Sequence, residues 1–155
     1  MAEYFLDTSA LAKLYRNELG SDLLDRIAAE ADSRRFISRF TILEMESVLA
    51  LKFRTGEIDE QSWTLARRRL EADLGSRRLL VASVSDEHLR GARQLLVEHG
   101  RTEALRGPDA LQLSVALGLK RAGLLSIFVA ADQKLCRVAM IEGFTTLNPE
   151  QPITL

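Results

Sequence analysis

Four of the 22 acidic residues in this chain stand where apolar segments give way to helical patterns: Asp7, Glu44, Asp109 and Asp132. Asp7 closes the apolar run Tyr4-Phe5-Leu6 in the stretch "EYFLDTSALAKLY", and Asp132 follows "SIFVAA" at once. Glu44 falls in the first turn of a long helix read as opening at Thr41. Asp109 falls in the first turn of a helix that follows Arg106-Gly107-Pro108. Carboxylates brought together repel one another and hold their protons more tightly unless a cation neutralises them. A set of oxygen ligands suits Mg²⁺ or Mn²⁺ and not zinc. The chemistry open to such a set is therefore that of a hard divalent ion.

Taken singly, each acid also has a local explanation. Thr41-x-x-Glu44 matches a capping box, with Glu44 returning a hydrogen bond to the residue-41 amide. Asp7 and Asp132 can be plain N-caps, and Asp109 can complement a helix dipole. The other ligand types offer no competing site. His88 and His99 are eleven positions apart, about 16 Å along a helix, too far to share an ion. Cys136 has no second cysteine and reads as a small core residue.

The elements that must position these acids alternate. Residues 3–7 read as a first strand, "RRFIS" as a second, "LLVASV" (79–84) as a third, "SIFVAA" as a fourth and "FTTL" as a fifth. Helical periodicity fills every gap between them. After the first strand come "TSALAKLYR" and "SDLLDRIAAEA", and after the second "TILEMESVLALKFR", closed by Gly56, then a helix from about Asp59 to Leu74. The third strand is followed by a helix from Ser85-Asp86-Glu87-His88 to about His99, then by "PDALQLSVALGLKRAG"; the fourth is followed by "DQKLCRVAMIEG". Strand–helix alternation from end to end predicts an open, mostly parallel sheet covered by helices on both faces. No repeat, linker or low-complexity tract divides residues 1–155, so a single α/β domain is expected. In such sheets ligands gather outside the carboxyl ends of the strands, where strand order reverses. All four acids belong to that rim; whether they converge depends on strand order.

Bulk composition sets the limits. The chain has 155 residues, 46% apolar and 28% charged, with a net charge of −1, so it exerts no general pull on polyanions. Arginine outnumbers lysine 17 to 4, with clusters at Arg34-Arg35, Arg67-Arg68-Arg69 and Arg77-Arg78. Arginine's planar fork suits phosphate, although solvated helix faces explain such clusters equally well. No apolar run approaches the roughly 18 residues of a membrane span, and no secretory signal is visible. One cysteine is compatible with a reducing compartment, and a cytoplasmic location is expected.

With those residues in view, the chain resembles the PIN-domain family of metal-dependent ribonucleases, in particular VapC-type toxins of bacterial toxin–antitoxin pairs. "FLDTSALAKLY" resembles the family's opening strand with its aspartate and Thr/Ser, and "TILEMESVLAL" the helix that carries its glutamate. "LRGPDALQLSVAL" is similar to the Asp-Ala-x-x-Leu helix, and "FVAADQKLCRVAMIEGF" to the closing Asp-x-x-Leu segment with its Gly-Phe. The resemblance implies a three-layer α/β/α sandwich around a five-stranded parallel sheet. It implies a site of Asp7, Glu44, Asp109 and Asp132, with Asp7, Asp109 and Asp132 as the main ligands of Mg²⁺ or Mn²⁺ and Ser9 in support. Hydrolysis of an RNA phosphodiester by an activated water follows, leaving a 5′-phosphate and a 3′-hydroxyl, with Glu44 positioning the water or a second ion. It further implies a VapB-like antitoxin and a homodimer; core packing accounts for most of the apolar surface that Met45, Leu49, Phe53 and Trp63 belong to, and the remainder suits a groove for an amphipathic antitoxin helix. Arg39 or Arg106 could hold the RNA backbone.

Two positions depart from the pattern. Gln112 stands where many relatives have histidine, and Ala130 where a Thr or Ser often precedes the last aspartate; weaker support of the ligands is expected from both. Two other readings stay open. The fold could serve as an RNA- or protein-binding module with a degenerate site. "FLDTSA" also resembles a phosphatase of the haloacid-dehalogenase type, although that fold wants an acid where Ser9 stands and a later lysine, for which Lys120 or Lys134 could be proposed.

Overall fold

The computed structural model describes residues 1–151. In chain order it contains β1 (Glu3–Leu6), α1 (Thr8–Leu11) running into a 3₁₀ turn (Ala12–Leu14), α2 (Ser21–Ala29), β2 (Arg34–Ser38), α3 (Arg39–Arg54) and α4 (Glu60–Gly75). Then follow β3 (Leu80–Ala82), α5 (Asp86–His99), α6 (Gly107–Arg121), β4 (Ile127–Val129), α7 (Gln133–Ile141) and β5 (Thr145–Leu147). Every predicted strand and helix is present. The third, fourth and fifth strands are shorter than the apolar runs suggested, because residues such as Leu79 and Phe144 fill the core without pairing in the sheet.

The five strands are all parallel, in the order β3-β2-β1-β4-β5. Alternation along each strand sorts the core into two layers. Phe5, Phe36 and Phe128 face one side and meet apolar residues of α5, α6 and α7, such as Leu95, Leu113 and Leu135. Tyr4, Leu6, Ile37 and Val129 face the other side and meet α1 to α4 through Leu11, Leu24, Met45 and Leu70. The result is the expected three-layer α/β/α sandwich.

Handedness explains which helices go where. From β1 the chain steps to β2 and then β3 in one direction, so right-handed crossovers put α1 to α4 on one face. The next strand, β4, lies on the other side of β1, and the following step runs the opposite way. The same handedness therefore puts α5, α6 and α7 on the other face. Strand order reverses between β1 and β4, the two strands that end at Asp7 and just before Asp132.

One boundary differs in a way that bears on the site. Helix α3 begins at Arg39, and its N-cap is Ser38, whose Oγ accepts a hydrogen bond from the Thr41 amide at 3.1 Å. Thr41 is thus the third helical residue, and Glu44 lies a turn further in, out of reach of any cap. The capping box expected at Thr41-x-x-Glu44 is not formed. Its physical reason is that Ser38, the last residue of β2, already supplies the capping oxygen. The other end is as expected: α3 stops at Arg54, and Gly56 takes a left-handed backbone at φ +77°, the conformation glycine adopts without strain.

Candidate metal centre at the carboxyl edge of the sheet

Because all strands are parallel, their carboxyl ends share one rim, and the four acids arrive there from both layers. Asp7 follows β1 directly and is almost fully buried, at 4% exposure. Its Oδ1 accepts from the Ser9 hydroxyl at 2.7 Å and from the Ala10 amide at 2.9 Å. Asp7 is therefore the N-cap of α1, but one carboxylate in so buried a place needs more than a cap to ionise. Burial raises its pKa to about 7 from an ordinary 3.8, and the charges of Asp109 and Glu44 add to the rise, against the lowering effect of its two hydrogen bonds.

Asp132, beyond β4, caps α7 by accepting from the amides of Lys134 at 2.8 Å and Leu135 at 3.4 Å. Ser9 ties it to Asp7: the Ser9 hydroxyl that donates to Asp7 accepts, at 3.0 Å, from the amide of Ala131. One side chain thus holds the ends of β1 and β4 in register at the switch point. Asp109 enters from the opposite layer, in the first turn of α6, and its pKa is also raised. Burial is the main cause; Asp132 and Glu44 add to it and the Arg106 guanidinium opposes it. Arg106 Nε lies 3.3 Å from Asp109 Oδ2, on a side chain that is 77% exposed.

Glu44 comes from α3. Its Oε1 accepts from the Thr8 hydroxyl and from the Gln112 amide, each at 2.7 Å. Beneath the rim lies Cys136, a buried core residue as expected. Its thiol is pushed up to about 11 by burial, with the charges of Asp7 and Asp132 adding to the effect, so it offers no thiolate to this chemistry.

Asp7 thus feels the charges of Asp109 and Glu44, and Asp109 those of Asp132 and Glu44, with Arg106 the one cation that opposes the rise at Asp109. That surplus of negative charge, on oxygens alone, fits a hard divalent ion. The arrangement is an open cup and not a closed cage. Among the described residues, three ligand-type side chains bring their atoms within 4.8 Å of one another at one place only, formed by Glu98, His99 and Glu142. An ion in the acidic cup would keep several waters, as Mg²⁺ characteristically does. The trio lies at the far ends of α5 and α7, where His99 Nε2 and Glu142 Oε1 are 2.7 Å apart. His88 takes no part in it.

The expectation for Gln112 needs correcting. It does not leave its neighbours with weaker support; it is the most connected polar side chain near the rim, bonding Ser38, Thr41, Thr8 and Glu44. Ala130 is fully buried in the core, and its carbonyl accepts from the Cys136 thiol. The sequence reading also missed Thr8, Ser38 and Thr41 as parts of the site. Their signal was slight: Thr8 adjoins Asp7, and Gln112 lies one turn past Asp109.

A parallel five-stranded sandwich with an acidic cup at its switch point defines the class of this protein. The PIN domain family model matches residues 4–140, and the chain belongs to that family. Among solved structures it is similar to the Mycobacterium tuberculosis toxin VapC20, described as cleaving the sarcin–ricin loop. The two share 21% identity at a TM-score of 0.66, over 94% of this chain and 99% of that one. It is also similar to PAE2754 from Pyrobaculum aerophilum, with 22% identity and a TM-score of 0.60 over 94% and 89% of the two chains. A toxin–antitoxin complex from Klebsiella pneumoniae matches with 21% identity and a TM-score of 0.61 over 94% and 97%. Among curated protein sequences none matches. The family assignment sets aside the phosphatase likeness, and Ser9 serves Asp7 as a donor where that fold wants an acid.

Proposed function

We propose that the protein is a metal-dependent endoribonuclease of the VapC toxin type, held in check by a VapB-like antitoxin. One observation carries the reading: at the β1/β4 switch point the charges of Asp109 and Glu44 add to the raised pKa of buried Asp7, and those of Asp132 and Glu44 to that of Asp109, a surplus of negative charge that a divalent cation would relieve. The likeness to VapC20 and to the Klebsiella pneumoniae complex supports an RNA substrate and a protein antitoxin.

Asp7, Asp109 and Asp132 would hold Mg²⁺ or Mn²⁺ between the two layers. When bound, such an ion supplies positive charge at the scissile phosphodiester and makes water more acidic. Glu44, with one oxygen tied to Thr8 and Gln112, has the other available to orient the attacking water. Ser9 keeps the strand ends at a constant separation, so that the carboxylates need not reorganise as charge develops. Arg106, exposed beside Asp109, is placed to exchange that carboxylate for a phosphate oxygen of the RNA backbone. Arg39 is exposed at the start of α3 and can serve the same strand of RNA.

The apolar residues of α3 and α4 divide between the core and a candidate groove for the antitoxin. Met45 and Leu49 are core residues, at 0% and 4% exposure. The exposed large apolar residues of α3 and α4 are Leu43, Leu51, Phe53 and Leu65; Trp63 packs against Phe53. An amphipathic helix of the antitoxin would seat there. A homodimer and a cytoplasmic site of action complete the proposal. No described helix is long and apolar enough to cross a membrane.

The test is cleavage of a mixed transfer-RNA and ribosomal-RNA pool by purified protein with Mn²⁺, with Mg²⁺ and with EDTA, alongside Asp7→Asn and Asp109→Asn. Discrete cuts that need the metal and vanish in both variants are expected. Cleavage that survives EDTA and both substitutions would sink the acidic-site mechanism. Binding of RNA with no cleavage under any condition would move a binding module to the front.

A further inference from the structure

Gln112 is a buried amide at 2% exposure, one turn beyond Asp109 on α6. An amide buried in a core is costly unless its two N–H donors and its oxygen are all partnered. Here they are, and every partner is a side chain. Nε2 lies 2.7 Å from Glu44 Oε1, 2.8 Å from Thr41 Oγ1 and 3.1 Å from Thr8 Oγ1. The oxygen accepts from the Ser38 hydroxyl at 2.9 Å and lies 3.0 Å from Thr41 Oγ1. Turned over, the amide would set its oxygen against a carboxylate, so Glu44 selects the orientation. Thr8 completes the arrangement by donating to the same Glu44 oxygen at 2.7 Å.

The network joins α6 in one layer to α1, β2 and α3, and its one charged member is Glu44. That carboxylate receives two donors on Oε1, while its Oε2 has no hydrogen-bond partner among the described residues. We infer that Gln112 is a positioning residue for Glu44: it pins one carboxylate oxygen and leaves the other to the water, cation or substrate in the cup. An apolar side chain would fill the same space at less risk to stability, since a buried polar network must be fully satisfied to be tolerated. What the amide adds is a fixed direction for Glu44. In its catalytic consequence the inference rests on the nuclease reading above.

The test compares Gln112→Met, which keeps the length and removes the donors, with Glu44→Ala and with the double variant. Gln112→Met should lower kcat on RNA by about 10- to 100-fold, as loss of a ligand's supporting hydrogen bond commonly does, with KM little changed. In the Glu44→Ala background it should cost nothing further. An equal loss in both backgrounds would make Gln112 merely structural and overturn the inference. If Gln112→Met does not fold, nitrogen-15 NMR of the native protein and of Glu44→Ala decides. The Gln112 side-chain amide protons should be slow to exchange in the native protein, then shift and exchange faster without Glu44; signals indifferent to Glu44 would refute the pairing. A native protein that cleaves no RNA would defeat the nuclease reading alone, because the NMR comparison still tests the link to Glu44.

Discussion

At the scale of single residues, Asp7 carries the strongest physical signature. Its carboxyl is buried and its pKa stands near 7, above the 3.8 of an exposed aspartate. In metal-free protein the folded state therefore binds a proton more tightly than the unfolded chain between those two values. Stability from this group is fully present below about pH 4 and is lost as pH rises through 7. A displacement of that size corresponds to about 4 kcal/mol. Asparagine cannot ionise, yet its oxygen can keep the bonds from Ser9 and Ala10. In EDTA, Asp7→Asn should match the native protein in urea denaturation at pH 4 and exceed it by several kcal/mol at pH 8. A difference between the two that stays flat from pH 4 to pH 8 would show that Asp7 is not strained by ionisation. The variant expected to lose cleavage is thus also expected to be the more stable protein, as for a site kept at a cost to the fold.

At the scale of elements, the junction of β2 and α3 does double work. Ser38 is fully buried, caps α3 by accepting from the Thr41 amide, and donates to the Gln112 oxygen. Ser38→Ala removes the cap and leaves an amide oxygen short of a partner, so a loss of about 2 kcal/mol is expected. Thermal or urea unfolding measures it. Because Gln112 also steadies Glu44, kcat should fall with little change in KM; a variant that loses stability and keeps full kcat would separate the cap from the site. The early start of α3 follows from this serine. Sequence reading placed the cap at Thr41 because Thr-x-x-Glu is the stronger local pattern, but a strand that ends on a buried serine leaves no room for a later start. Ser9 shows the opposite outcome. Its supporting role was implied by the family resemblance, and the structure supplies a hydroxyl shared between Asp7 and the Ala131 amide.

At the scale of the whole molecule, the cup is shared by both layers, so an ion bound there should stabilise the fold as a unit. Mn²⁺ at a hundred times its dissociation constant adds about 2.7 kcal/mol if it binds the folded state alone. The gain in melting temperature should be larger at pH 8 than at pH 5.5, because Asp7 must release its proton to take the ion. It should vanish in Asp109→Asn. A gain that survives that substitution and disappears in His99→Ala would assign the ion to the Glu98, His99 and Glu142 trio instead. Calorimetric melting of the three proteins with and without Mn²⁺ makes the comparison.

The chain's local patterns determined a great deal by themselves. Alternating apolar runs and helical periodicity specified five strands, their connecting helices and a parallel sheet, because each pattern acts over a few residues and leaves a direct mark. Asp7, Asp109 and Asp132 stood out for the same reason: each sits at or near a junction that its neighbours announce, whereas Glu44 lies a turn inside α3. Tertiary structure alone decided which rim and which layers these acids come from. The strand order β3-β2-β1-β4-β5 places the ends of β1 and β4 side by side, and the reversal brings Glu44 and Asp109 in from opposite layers. It also decided the role of Gln112, which reaches Thr8 across 104 positions and Glu44 across 68. A hydrogen bond acts over about 3 Å in space, and so long a separation along the chain leaves no local pattern to read.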